Sequence, residues 1–257
     1  MGEQIRKTEQ FRALHISRKP LVLFNIWDAG SAKAVAAGGA KAIATSSWSM
    51  ANANGFADGE RIPLAMVIED LRRIVGVTEL PVTVDLERGY GEALEMVGET
   101  IAAAIDEGAI GCNLEDSFPA NGKLRETVEQ VGRIRRVRET ADGRGIRFFI
   151  NARTDVFFQQ EPEQHDEGLV AEAIARAHAY AEAGADGLFA PGLVSIDLIA
   201  RLTKASPLPV NIMAGEGTPP VHALARQGVA RVSYGPRPYL LAMKALEDGA
   251  REVSTKF

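Results

Sequence analysis

Eight times along the chain a short β-branched run gives way to a Gly or Pro and then to an Ala-, Glu- and Arg-rich stretch with helical spacing. No other feature restricts the fold so tightly. The runs predict strands at Leu21–Asn25, Ala42–Ser46, Val82–Asp85, Gly111–Glu115, Arg147–Asn151, Gly187–Ala190, Pro209–Met213 and Arg231–Tyr234. Helices are expected at Ser31–Ala37, Pro63–Val75, Ala93–Glu107, Arg125–Thr140, Asp166–Ala183, Ile196–Thr203, Pro220–Arg226 and Pro238–Gly249, with a further helix, Glu3–Ile16, ahead of the first strand. Gly38, Gly108, Gly184 and Gly228 stand where a left-handed residue would close a helix. This alternation suits a barrel or an open doubly wound sheet, but the latter would show Gly-x-Gly-x-x-Gly after its first strand. Here that turn reads Asn25-Ile-Trp-Asp28-Ala-Gly30. The expectation is a single (β/α)8 TIM-type barrel with an extra N-terminal helix, one domain over residues 1–257, and a long loop from Ser47 to Ile62 over its mouth.

Composition narrows the function classes. One cysteine can form neither an internal disulfide nor a Cys-based zinc cluster. A net charge of −5 without a basic block gives no electrostatic footprint for nucleic acid. No apolar run approaches the roughly 20 residues that span a bilayer, and the opening residues are too polar for a secretory signal. A cytoplasmic protein with a small-molecule partner is expected, contacting neither membrane nor nucleic acid.

Barrel chemistry sits at the C-terminal ends of the strands. Asp85 and Glu87, two residues apart, point the same way off strand three, and Glu115 comes from strand four. Three carboxylates with no lysine among them call for a hard divalent cation, so Asp85, Glu87 and Glu115 are candidate ligands for Mg²⁺, with Mn²⁺ the alternative ion. Arg153, just beyond the expected end of the next strand, can anchor a carboxylate through two parallel hydrogen bonds; the alternative is that it neutralises Glu115 or Asp155. No lysine stands at a strand end in the mouth, which argues against Schiff-base chemistry. His15, His165, His178 and His222 fall away from the strand ends. The turns after strands seven and eight occupy a common phosphate-binding place, but Glu216 in the first of them would oppose an anion.

Taken together, Asn25-x-Trp-Asp-Ala-Gly-Ser-Ala32, Thr45-Ser-Ser47, Asp85-x-Glu-x-Gly-Tyr-Gly91, Leu114-Glu-Asp-Ser117, Ile150-Asn-Ala-Arg-Thr-Asp155 and Pro209-Val-Asn211 resemble the isocitrate lyase/phosphoenolpyruvate mutase superfamily. The likeness runs from about Phe11 to Ala250. It implies a Mg²⁺ at Asp85, Glu87 and Glu115 that chelates a 2-oxo acid, with Glu87 standing where Asp is common. It implies substrate contacts from the Ser46 hydroxyl, the backbone N–H groups of Ser47 and Trp48, Asp85 and Arg153, with Trp27 and Asn211 in the same set. Asp58 matches an acid that contacts a metal-bound water, and Lys123 matches the mutase-type gating loop loosely. Asp58, Arg153 and Lys123 are therefore the catalytic candidates.

One departure bears on the reaction. Lyases of this superfamily carry Lys-Arg-Cys-Gly-His after strand four, with the cysteine as acid/base, whereas this chain reads Ser117-Phe-Pro-Ala-Asn-Gly-Lys-Leu124. Cys112 lies within strand four and reads as a small core residue. The resemblance thus implies Mg²⁺-dependent cleavage or decarboxylation of an oxaloacetate-like acid through an enolate, which needs no cysteine. The alternatives are phosphonopyruvate-type P–C chemistry and binding of 2-oxoglutarate or oxalate with little turnover. A homodimer or homotetramer is expected, since superfamily members often pack the last helix on a neighbouring barrel; the chain ends soon after that helix.

Overall fold

The computed structural model describes residues 2–119 and 121–254. Helix α1 (Gly2–Ala13) leads into β1 (Leu21–Leu23), α2 (Ala29–Ala37), β2 (Ile43–Ala44), α3 (Ser47–Ala53), α4 (Leu64–Val75), β3 (Val82–Asp85) and α5 (Leu94–Asp106). There follow β4 (Gly111–Glu115), α6 (Thr127–Gly143), β5 (Phe149–Arg153), α7 (Glu167–Glu182), β6 (Gly187–Ala190), α8 (Ile196–Ala205), β7 (Val210–Met213), α9 (Val221–Arg226), β8 (Arg231–Ser233) and α10 (Arg237–Ser254). All eight strands are parallel, in the order β1-β8-β7-β6-β5-β4-β3-β2. A bridge between Ile26 and Thr45 joins the two ends, with the Ile26 N–H donating to the Ala44 carbonyl at 2.9 Å. The result is the expected (β/α)8 barrel with an added N-terminal helix.

Several local expectations shift. The segment read as a loop from Ser47 holds a helical turn, α3, because the Ser46 hydroxyl accepts from the Ser49 N–H at 3.3 Å and caps it. Strand β5 lies further toward its C-terminal end than expected, so Arg153 is its last residue rather than part of the following loop. Gly38 stays right-handed, and Gly39 (φ 89°) takes the left-handed conformation in its place.

Side chains alternate across the strands. Cys112, Leu114, Ile150, Leu188, Ile212 and Val232 belong to the apolar layer that includes buried residues of the helices. Cys112 is buried there, and burial pushes its thiol pKa upward, as expected for a core residue rather than a nucleophile. A second cluster, Phe11, Leu21, Leu23, Ala42, Ala44, Ile110 and Phe149, plugs the barrel's lower end. Gly111 makes this plug fit: a Cβ there would lie 2.6 Å from the Phe149 carbonyl oxygen. Above it the barrel departs from the usual aliphatic filling. Asn113, Asn151, Asn211, Arg231 and Ser233 are all buried and linked by hydrogen bonds, forming a polar layer beneath the mouth. Among the described residues no helix is long and apolar enough to cross a membrane.

Candidate active site

A cavity of about 180 Å³ opens at the C-terminal ends of the strands. Ser46, Ser47, Trp48, Asp58, Asp85 and Arg153 line it, six of the residues expected from sequence, and Phe158, Phe189 and Met213 add apolar surface. Asp85, the last residue of β3, is oriented by two neighbours: its N–H donates to the Thr45 hydroxyl at 2.8 Å, and its Oδ2 accepts from the Ser47 hydroxyl at 3.0 Å and the Ser47 N–H at 3.2 Å. Its Oδ1 is buried and has no hydrogen-bond partner. The Ser47 N–H, expected as an oxyanion donor, therefore serves Asp85 instead. The Trp48 N–H lies in the first turn of α3, where backbone donors have no intrahelical acceptor.

The loops after β2 and β3 clasp each other through glutamates. The Glu87 Oε2 accepts from the Glu60 N–H at 2.8 Å, while the Glu60 Oε1 accepts from the N–H groups of Arg88 and Tyr90 at 3.1 and 2.8 Å. Glu60, Glu87 and Tyr90 all have positive φ, a costly backbone choice for residues with side chains, here held by the clasp. Glu87 is buried, with its Oε1 unpartnered. Burial, and then the charges of Asp58 and Asp85, push its carboxyl pKa up to about 7. Asp58 is drawn upward by the same two causes, desolvation first and Asp85 second.

Among the described residues no three His, Cys, Asp or Glu side chains, the expected triad included, are grouped closely enough to hold an ion. The reason is arginine. Glu115 places one oxygen 2.9 Å from Arg88 Nη2 and the other 2.5 Å from Arg153 Nη1. Burial pushes its carboxyl upward against the pull of those two guanidinium groups. Glu115 is thus a clamped acid behind the site, and Glu87 is also absent from the cavity lining. Arg153 gives Nη1 to Glu115 and Nε to Asp155 at 2.6 Å, so it neutralises both acids while it lines the cavity. Asp116, beside Glu115, instead accepts from the Tyr180 hydroxyl, Arg176 and the Asp155 N–H, tying β4 and β5 to α7.

Three more candidates lie outside the cavity lining. Trp27 packs edge-on against Tyr239, whose ring also meets Trp48. Asn211 is buried in the polar layer, bonded to Ser233 at 3.1 Å. Lys123 is exposed, its loop pinned by the antiparallel pairing of Ser117 with Leu124. The turn after β8 holds no free anion cradle, because the Tyr234 and Gly235 N–H groups both donate to Asn25 Oδ1. Sequence reasoning missed Arg88, Glu60 and Asn113. The motif around Asp85 contained Arg88 but gave no sign of its reach to Glu115.

Comparison with known proteins adds a family to this geometry. The family model described as phosphoenolpyruvate phosphomutase matches residues 11–254. A crystal structure from Burkholderia cenocepacia J2315, provisionally called a phosphonomutase, superposes with a TM-score of 0.95 at 57% identity, covering 97% of this chain and 99% of that one. The 2-methylisocitrate lyase of Salmonella typhimurium is 29% identical over 96% of this chain and 83% of its own. The oxaloacetate decarboxylase of Pseudomonas savastanoi pv. phaseolicola is 30% identical over 74% of this chain and 65% of its own.

Proposed function

The chain belongs to the phosphoenolpyruvate phosphomutase family, within the isocitrate lyase/phosphoenolpyruvate mutase superfamily, and from that membership we propose that it is a Mg²⁺-dependent enzyme cleaving a carbon–carbon bond of a small, oxaloacetate-like 2-oxo acid. The observation that carries this reading is the buried, unpartnered Oδ1 of Asp85 at the cavity, with Asp58 and Glu87 pushed upward around it. A hard cation suits that donor set, because it satisfies the oxygen and relieves the repulsion together. Asp85 would hold it, with Asp58 beside it in the cavity lining. When bound there, the ion supplies Lewis-acid stabilisation of negative charge developing on a keto oxygen.

The chain's own groups do the rest. Ser47 fixes Asp85 through Oδ2 and leaves Oδ1 for the ion. The Trp48 N–H and the Arg153 guanidinium offer donors to the substrate's oxygens, and the apolar side formed by Phe158, Phe189 and Met213 limits water on that flank. Losing CO₂ from the C3–C4 bond leaves the electron pair in a pyruvate enolate, and a proton from water at C3 completes pyruvate. No cysteine is required, which suits the sequence of the loop after β4. The likeness to a protein provisionally called a phosphonomutase favours P–C cleavage of a phosphonopyruvate-type acid as the second reading.

A screen of C4–C6 2-oxo acids and phosphonopyruvate with Mg²⁺ or EDTA separates these. The expected result is pyruvate from oxaloacetate, abolished by EDTA and well above the protein-free Mg²⁺ blank. Inorganic phosphate released from phosphonopyruvate establishes the second reading, and no turnover of any acid removes both.

The same premise extends to subunit state. Pro238 is the only buried residue of α10, while Leu240, Leu241, Leu246 and Val253 are each more than half exposed. Tyr239, Met243, Leu246, Ala250 and Val253 repeat at helical spacing. On the barrel wall Val22 and Phe24 of the β1 segment are 40% exposed, in a groove of about 710 Å³ with Leu14, Val35 and Ala40. An apolar helix and an apolar groove left apart in one chain are proposed to meet between copies. Met243→Glu with Leu246→Glu is expected to reduce the mass measured by light scattering to that of one chain; an unchanged mass sinks the proposal.

A further inference from the structure

Arg231, the first residue of β8, is only 1% exposed and projects into the barrel's polar layer. Among the described residues no carboxylate lies within ion-pair distance of it, and its Nη1 has no hydrogen-bond partner. A guanidinium buried without a counter-ion is strongly disfavoured, and burial holds its pKa down to about 9, with Asp85 the acid that most offsets this from a distance. Its remaining donors go to two residues that line the cavity: Nε to the Ser233 hydroxyl at 3.3 Å and Nη2 to Asn113 Oδ1 at 3.4 Å. The cation therefore sits one layer beneath the place where substrate would bind.

That contact sets the direction of an amide. A guanidinium only donates, so the Asn113 atom facing it must be the oxygen. Asn151 Nδ2 donates to that same oxygen at 2.8 Å. Both donors hold Oδ1 down in the polar layer, and Asn113 Nδ2 is left toward the cavity, with no protein acceptor among the described residues.

We propose that Asn113 is a substrate-binding residue whose Nδ2 donates to an anionic oxygen of a small carboxylate, and that Arg231 is the positioning residue that fixes this amide and finds its missing counter-charge in the bound anion. The class of anion rests on the 2-oxo acid reading given above; the arrangement of donors does not. Arg231 touches no ligand atom, so its effect passes through Asn113 and through the potential at the cavity floor.

The test is titration calorimetry of oxalate into the Mg²⁺-saturated protein, alongside melting of the ligand-free protein. Asn113→Asp keeps the side-chain shape, gives Arg231 a carboxylate and places a second negative oxygen at the cavity. It is expected to raise the melting temperature and weaken oxalate more than tenfold. Arg231→Met is expected to weaken oxalate about tenfold without lowering the melting temperature, and Arg231→Lys to recover part of the affinity. A purely structural Arg231 would lower the melting temperature and leave oxalate within twofold of wild type, and that result overturns the proposal. Failure of the wild-type protein to bind oxalate overturns it as well. Oxalate bound as described with no acid turned over removes the proposed reaction and leaves this assignment standing; turnover with oxalate affinity unchanged in both variants removes the assignment alone.

Discussion

Asp85→Asn is expected to lower kcat/KM for pyruvate release from oxaloacetate by about 10³-fold, roughly 4 kcal/mol of transition-state stabilisation, with little change in melting temperature. The asymmetry of the carboxylate's surroundings underlies both halves of this expectation. Oδ2 is a structural acceptor, taking the Ser47 hydroxyl and N–H, and an asparagine oxygen can take its place. Oδ1 is the buried, unpartnered atom, and an amide NH₂ there cannot ligate a cation. Removing one charge also lessens the repulsion on Asp58 and Glu87, both of which Asp85 pushes upward, so the fold loses little. Steady-state kinetics with saturating Mg²⁺ and calorimetric titration of Mg²⁺ check it together. Retention of more than a tenth of the activity, or unchanged Mg²⁺ affinity, would show that the ion is held elsewhere.

The largest stability effect is expected at Arg88. Its Nη2 meets Glu115 at 2.9 Å, Nη1 meets Glu87 at 3.3 Å, and Nε donates to the Ser117 carbonyl at 3.0 Å, with both acids 3% exposed. Arg88→Met leaves Glu87 with no cationic partner and Glu115 with Arg153 alone. Breaking a buried pair by removing one member costs about 3–5 kcal/mol, since the other charge stays in place. For a chain of this size that corresponds to a fall in melting temperature of roughly 10 °C. Adding Glu115→Gln removes one stranded charge, and the double variant is expected to regain at least half of the loss. Thermal melts of the two single variants and the double variant close the cycle; a shift below about 2 °C for Arg88→Met contradicts the buried-pair account.

These arginines also show where sequence reasoning stopped. The motif Asp85-x-Glu-x-Gly-Tyr-Gly91 was legible, and so was the placing of Asp85 and Glu115 at the ends of neighbouring strands. Absence of lysine there suggested bare carboxylates awaiting a metal. The structure adds Arg88 to Arg153, whose pairing with Glu115 was one of the two alternatives read from the sequence, and Glu115 spends both oxygens on them. A side chain as long as arginine reaches acids on neighbouring strands, and nothing local in the sequence says which it will choose. Glu60 was missed for a related reason. Its loop gave no periodic signal, and its task of closing on Glu87 joins residues brought together only by the adjacency of β2 and β3.

By itself the sequence determined the barrel, because a strand–turn–helix alternation repeated eight times leaves few ways to bury one face of each helix and both faces of each strand. It also located the chemistry at the strand ends, where Ser46, Ser47, Trp48, Asp58, Asp85 and Arg153 do line one cavity. Only the tertiary structure decided which charges face one another. Alternation separates the two faces of a strand, but it cannot show that Arg231 points into the barrel, since an inward face carrying Asn, Ser and Arg looks like a solvated one until closure of the ring makes it an interior. Ion pairs and hydrogen-bond partners depend on register between strands far apart in the chain, and that information comes into being only when the eight strands are laid side by side.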